Sequence, residues 1–181
     1  ERKTIGETRK SDIAWKDLLE CEDSFPAGSE ALLLHRLYTE LPTMRADYTP
    51  VEIVKSKAQV VDDDMNYIVL GKKPIFILRA YKTAKTYGEQ TFSIPQSVVD
   101  LLPRDQKYLF ESAPGVPILA NTLSKKITRA YERYCKIPMN INALRRSYSE
   151  HTSSLGPEER LDAAIAQGHS LSQHRQYAAR G

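Results

Sequence analysis

Two short stretches in the last third of the chain carry side chains suited to a phosphate ester. In Asn142-Ala143-Leu144-Arg145-Arg146-Ser147-Tyr148-Ser149-Glu150-His151, helical spacing gathers Ile141, Leu144, Tyr148 and Leu155 on an apolar face, and Arg145 leaves that face. Asn142 precedes Arg145 by three residues, so the two side chains are expected to be neighbours on one helical face and to address the same ligand. Further on, Gly168 breaks a helix and His169 would open the next one, where unpaired N–H groups and the positive dipole end favour an anion such as phosphate. Tyr177 follows His169 by eight residues, roughly two turns, and can project from the same side. Each residue has an ordinary alternative: a solvated basic face for Arg145, a helix cap for His169 and a half-buried phenol for Tyr177.

The elements that must position these groups fit one domain. A chain of 181 residues, 41% hydrophobic and 27% charged, is long enough to bury a substantial core and too apolar for a disordered segment. A net charge of +3 permits a polyanionic partner without announcing one. Cys21 and Cys135 lie far apart with no Cys-x-x-Cys spacing, so neither a disulfide framework nor a zinc knuckle is expected, and a reduced intracellular compartment is the expected setting. Apolar runs such as Ala31-Leu32-Leu33-Leu34 fall far short of the roughly 18 residues that span a bilayer, so a soluble chain without a membrane partner is expected. Glu1 to Lys10 is charged and aperiodic; residues 1–11 read as a linker tail from another domain.

Periodicity predicts helices at 12–22, behind Ser11, and at 29–41, ended by Pro42. Thr43-Met44-Arg45 follows as a tight connection, which sets Arg45 at the mouth of a loop. Thr49-Pro50 suits an N-cap and first helical position, so a short helix is expected to about residue 56. The β-rich runs 66–70, 75–81 and 91–94 predict three antiparallel strands, separated by Gly71-Lys72-Lys73 and by a longer turn containing Gly88. Helix returns after Pro95; a loop is expected at 113–117 and helices at about 121–136, 140–154, 157–167 and 170–179. The predicted class is α+β, mostly helical with a small three-stranded antiparallel β-sheet.

Four segments together resemble the tyrosine recombinase (integrase) family. Leu41-Pro42-Thr43-Met44-Arg45-Ala46-Asp47 is similar to its loop with the first catalytic arginine, and Tyr81-Lys82-Thr83-Ala84-Lys85 lies where the family has its β-hairpin lysine. The helix Leu144 to His151 resembles the family's second arginine helix, and Gly168-His169-Ser170 with Tyr177 its Gly-His-Ser segment and nucleophile. The resemblance runs from about Asp12 to Ala179, with the motifs in the family's order. It implies a catalytic domain over 12–181 and a DNA-binding domain ahead of residues 1–11. Asn142 departs from the pattern, standing where the family commonly has histidine; asparagine can hydrogen-bond a phosphate oxygen but cannot accept a proton near neutral pH, which removes one candidate base. The His169 to Tyr177 interval is about one residue shorter than in many bacterial members and resembles the branch of eukaryotic viruses and mobile elements.

The resemblance implies that Tyr177 attacks a DNA phosphodiester, while Arg45 and Arg145 clamp the nonbridging oxygens with planar, permanently charged guanidiniums. Lys82, with Lys85 as the alternative, would protonate the leaving 5′ hydroxyl, and His169 would assist attack or donate to the phosphate. Asp47 would cap its turn or pair with Arg45. The product would be a 3′-phosphotyrosyl link, resealed by another 5′ hydroxyl without ATP, metal or cofactor. Double-stranded DNA and, in a recombination synapse, other protomers are the implied partners, with the isolated domain monomeric. Arg145→Ala is expected to end cleavage and leave the fold intact. Three other readings stand beside this one: a type IB topoisomerase with the same residue set, a weakened DNA-binding relative, and a helical interaction domain in which Arg145 and Tyr177 merely pack.

Overall fold

The computed structural model describes residues 13–167. Helix α1 (Trp15–Glu20) runs into a 3-10 turn at Cys21–Ser24, and α2 spans Glu30–Thr39. The Ser29 hydroxyl caps α2 by accepting from the Leu32 N–H at 3.1 Å. Helix α2 buries Leu32, Leu33, Leu34, Leu37 and Tyr38, the apolar stripe that its periodicity predicts.

The sheet differs from expectation. It has four strands in the order β1 (Val51–Val54), β2 (Asn66–Val69), β3 (Ile75–Leu78) and β4 (Gln90–Ser93), with β1 parallel to β2 and the other pairs antiparallel. The segment expected to be a short helix behind Thr49-Pro50 is therefore β1. Its β-branched Val51, Ile53 and Val54 find ladder partners on both edges: β2 on one side, and on the other the chain at Lys107 and Leu109, through Ile53 N–H to Lys107 O (2.8 Å) and Leu109 N–H to Val51 O (2.9 Å). Proline is tolerated just before a strand as well as at the start of a helix, and tertiary pairing decided between them. The predicted loop near 113–117 contains a small hairpin, β5 (Glu111–Ala113) with β6 (Val116–Pro117).

Alternation explains why β2 and β3 read as unbroken apolar runs. Ile68, Phe76 and Leu78 face the main core, whereas Tyr67, Val69 and Ile77 join Val54 in a second cluster on the opposite face. Between β3 and β4 lies a one-turn helix, α3 (Ala84–Tyr87), and after β4 comes α4 (Gln96–Val99). Helix α5 (Ala120–Ala130) passes into a π-helical turn at Tyr131–Cys135, stopped by Lys136 in the left-handed region at φ 59°. Helices α6 (Ile141–Thr152) and α7 (Pro157–Ala166) complete the described residues. The expected helix at 170–179 lies outside them. Among the described residues no helix is long and apolar enough to cross a membrane.

Cys21 and Cys135 meet in a disulfide, with Cα atoms 5.9 Å apart, correcting the expectation of two separate thiols. Spacing along the chain could not show this, because the 3-10 turn after α1 and the end of the π-helical turn are brought together only by packing. Beside this link His35 is fully buried, its Nδ1 2.9 Å from the Tyr131 hydroxyl and its Nε2 3.8 Å from the Glu22 carboxylate. Burial pushes the His35 pKa down to about 4; Glu22 opposes that shift and Arg36 adds to it. The folded protein therefore binds this proton more weakly than the unfolded chain, and stability falls as pH drops below about 6.5 towards 4. Between pH 7.5 and 4.5 wild type is expected to lose on the order of 2 to 3 kcal/mol through this group, a loss absent from His35→Gln. Urea unfolding of both proteins at the two pH values checks this; equal losses would remove His35 as the cause.

Candidate active site

The loop after α2 is held from several sides. The Tyr38 hydroxyl donates to Arg45 O at 2.6 Å, and the Tyr48 hydroxyl lies 2.8 Å from Leu37 O and 2.9 Å from Pro42 O. Both rings are fully buried, and burial raises both phenol pKa values, so these hydroxyls serve as neutral donors. Arg45 is half-buried on this loop. Asp47 follows on the same loop and is half-buried. Burial raises its carboxyl pKa, with the Arg145 charge as the largest opposing influence.

Arg145 departs most from the sequence expectation. It leaves the apolar stripe yet is only 1% exposed, the largest fully buried side chain among the described residues. Its Nη1 donates to Thr43 O at 2.9 Å and its Nη2 to Gln167 O at 3.0 Å. A solvated basic face is thereby excluded for this arginine. Helix α6 projects it beneath the Arg45 loop, so residues 102 positions apart meet. Asn142 lies one turn earlier on α6 but is exposed, so the expected shared face divides into a solvent position and a buried one. Asn140, not Asn142, caps the helix, its side chain accepting from the Ala143 N–H at 2.9 Å.

A cleft opens at this loop, lined by Met44, Arg45, Asp47, Leu78, Tyr81, Lys82, Thr83, Ala166 and Gln167. Lys82 is exposed at its wall, in the turn between β3 and α3, four residues beyond the end of β3 at Leu78. Lys85 sits on α3 and is not part of the lining. The tip is not a simple hairpin turn, because α3 is inserted there. The Tyr81 hydroxyl donates to Gly88 O at 2.7 Å and accepts from Gln90 Nε2 at 2.9 Å, which closes the insertion onto β4.

Three further residues belong to this arrangement: Thr43, Ser149 and Gln167. Gln167 is 3% exposed at the end of α7, beside the Gly168-His169-Ser170 segment in sequence. An amide ending the apolar run Ala163-Ala164-Ile165-Ala166, and a hydroxyl one turn after Arg145, were the available signals. His169 and Tyr177 lie outside the described residues. Among the described residues no group of three or more His, Cys, Asp or Glu side chains could hold a metal ion.

Comparison with known proteins adds the fold. No family model matches the chain, and neither does any curated protein. Among solved structures the chain is similar to XerA recombinase, with a TM-score of 0.56 at 15% sequence identity, over 91% of this chain and 57% of that one. The chain thus spans little more than half the length of that recombinase, and at this identity the likeness establishes a common fold: a helical body around a small mixed sheet.

Proposed function

We propose that this chain is the catalytic domain of a tyrosine recombinase, breaking and rejoining double-stranded DNA through a 3′-phosphotyrosyl intermediate at Tyr177. The observation that carries the reading is convergence: the Arg45 loop, Arg145 beneath it, Lys82 on the cleft wall and the end of α7, which precedes His169 in sequence, all meet at one place. Motif order alone could not require that. Two arginines beside one loop supply fixed positive charge for a phosphorane-like transition state, and a dry setting strengthens it. Lys82 rather than Lys85 is the general acid in this reading, since it borders the Arg45 cleft. Asn142 offers no base, so His169 or water assists the tyrosine. Other protomers in a synapse, residence with DNA inside the cell, and kinship with elements of eukaryotic viruses belong to the same proposal, the last resting on the short His169 to Tyr177 interval.

One observation favours a second reading. The 1% exposure of Arg145 also suits a DNA-binding relative in which this arginine only supports the fold. A pool of nicked duplexes with randomised sequence separates the two, because the short strand beyond the nick diffuses away and traps any adduct. Wild-type chain is expected to become covalently attached in the presence of EDTA. Lys82→Ala is expected to slow attachment by about 100-fold, and a 5′ bridging sulfur at the scissile position to restore it, since a thiolate leaves without a proton. No adduct anywhere in the pool would favour the non-enzymatic reading; slowing by Lys85→Ala instead would transfer the acid role to Lys85.

A further inference from the structure

The Gln167 side chain sits in a closed network that nothing in the reaction chemistry requires. Its Nε2 donates to Thr43 Oγ1 at 3.1 Å and to Arg145 O at 3.3 Å, and its Oε1 accepts from Ser149 Oγ at 2.9 Å. Its own carbonyl accepts from Arg145 Nη2 at 3.0 Å. Both amide hydrogens and the amide oxygen are therefore used, and Thr43, Ser149 and Arg145 are as buried as Gln167 itself. A fully satisfied polar network in a low-dielectric interior fixes one geometry, because any displacement leaves a buried donor or acceptor unpaired.

The partners make this geometry consequential. Thr43 is two residues before Arg45, Ser149 is one turn beyond Arg145 on the same helix, and Gln167 adjoins Gly168-His169 in sequence. We infer that Gln167 is a positioning residue, which pins the end of α7 to both the Arg45 loop and the Arg145 helix and so sets the spacing of the phosphate-binding groups. This rests on the recombinase reading above. The residue acts through Arg145 and through the loop that carries Arg45, since its side-chain amide is held by Thr43, Ser149 and the Arg145 carbonyl.

The test uses the full chain and a nicked duplex recovered from the adduct pool. Gln167→Met keeps the volume and removes the side-chain hydrogen bonds. The single-turnover rate of adduct formation at saturating DNA is expected to fall about 10- to 100-fold while DNA affinity changes less than about threefold, since misplaced groups lower the rate rather than the binding. Destabilisation alone could mimic that, so the second variant is the triple Thr43→Val, Ser149→Ala, Gln167→Met. It leaves neither the Thr43 nor the Ser149 hydroxyl stranded and is expected to regain thermal stability while the rate stays low. A rate that recovers with stability would reduce Gln167 to a folding role and overturn the inference. So would a wild-type rate in folded Gln167→Met. Absence of an adduct from wild type on every duplex is a different failure, which removes the recombinase reading and the inference with it.

Discussion

Tyr177→Phe should form no covalent adduct on nicked duplexes to which wild type becomes attached, a fall of at least about a thousandfold, because the ring is retained and only the attacking oxygen is lost. The chain has ten tyrosines, so the variant needs a positional control. Tyr38, Tyr48 and Tyr131 are buried, and burial raises each phenol pKa, which opposes the phenolate that attack requires. Tyr81 is the serious competitor: it lines the Arg45 cleft next to Lys82. Its hydroxyl is already engaged by Gly88 O and Gln90 Nε2, so it is expected to be inert. Peptide mapping of the adduct decides the matter. A nucleotide on Tyr177 supports the assignment; one on Tyr81, or undiminished attachment by Tyr177→Phe, would falsify it.

Arg145 variants should lose both activity and stability, and the second loss is one that the sequence did not predict. Removing the guanidinium leaves the carbonyls of Thr43 and Gln167 without these donors in the interior, at roughly 1 to 3 kcal/mol each. Arg145→Ala is therefore expected to be destabilised by on the order of 3 to 5 kcal/mol, not merely inactive. Arg145→Lys is the more informative variant. It keeps the charge but lacks the planar fork that reaches two carbonyls at once, so adduct formation should fall by about 100- to 1000-fold in protein that still folds. Thermal unfolding, followed by adduct kinetics well below each melting temperature, keeps the two effects apart. A folded Arg145→Lys that cleaves at the wild-type rate would leave Arg145 as a purely structural residue.

Local rules carried far along this chain, and they failed where distant segments intervened. The helix α2, the Pro42 stop and the strands β2 to β4 all follow from periodicity and turn chemistry, which operate within a few residues. Strand β1 was misread as a helix because Thr49-Pro50 suits either start, and the choice was made by β2 and by the chain at 107–109, whose edges it pairs with. The same limit separated Cys21 from Cys135, which only packing brings together.

The candidate site divides along the same line. From the sequence by itself came the types and order of the reactive groups: arginine on a loop, lysine after a strand, arginine on a helix, then histidine and tyrosine. Residue type and short-range spacing determine which chemistry a side chain can offer, and no fold is needed to read that. Burial and partnership are different, because they depend on what lies across the core. Only the tertiary structure showed Arg145 to be a buried tie between Thr43 and Gln167, set Asn142 in solvent and brought Lys82 to the Arg45 cleft. Each of those outcomes is decided by contacts between segments tens of residues apart, where the hydrogen-bond needs of a buried polar group outweigh any preference written along the chain.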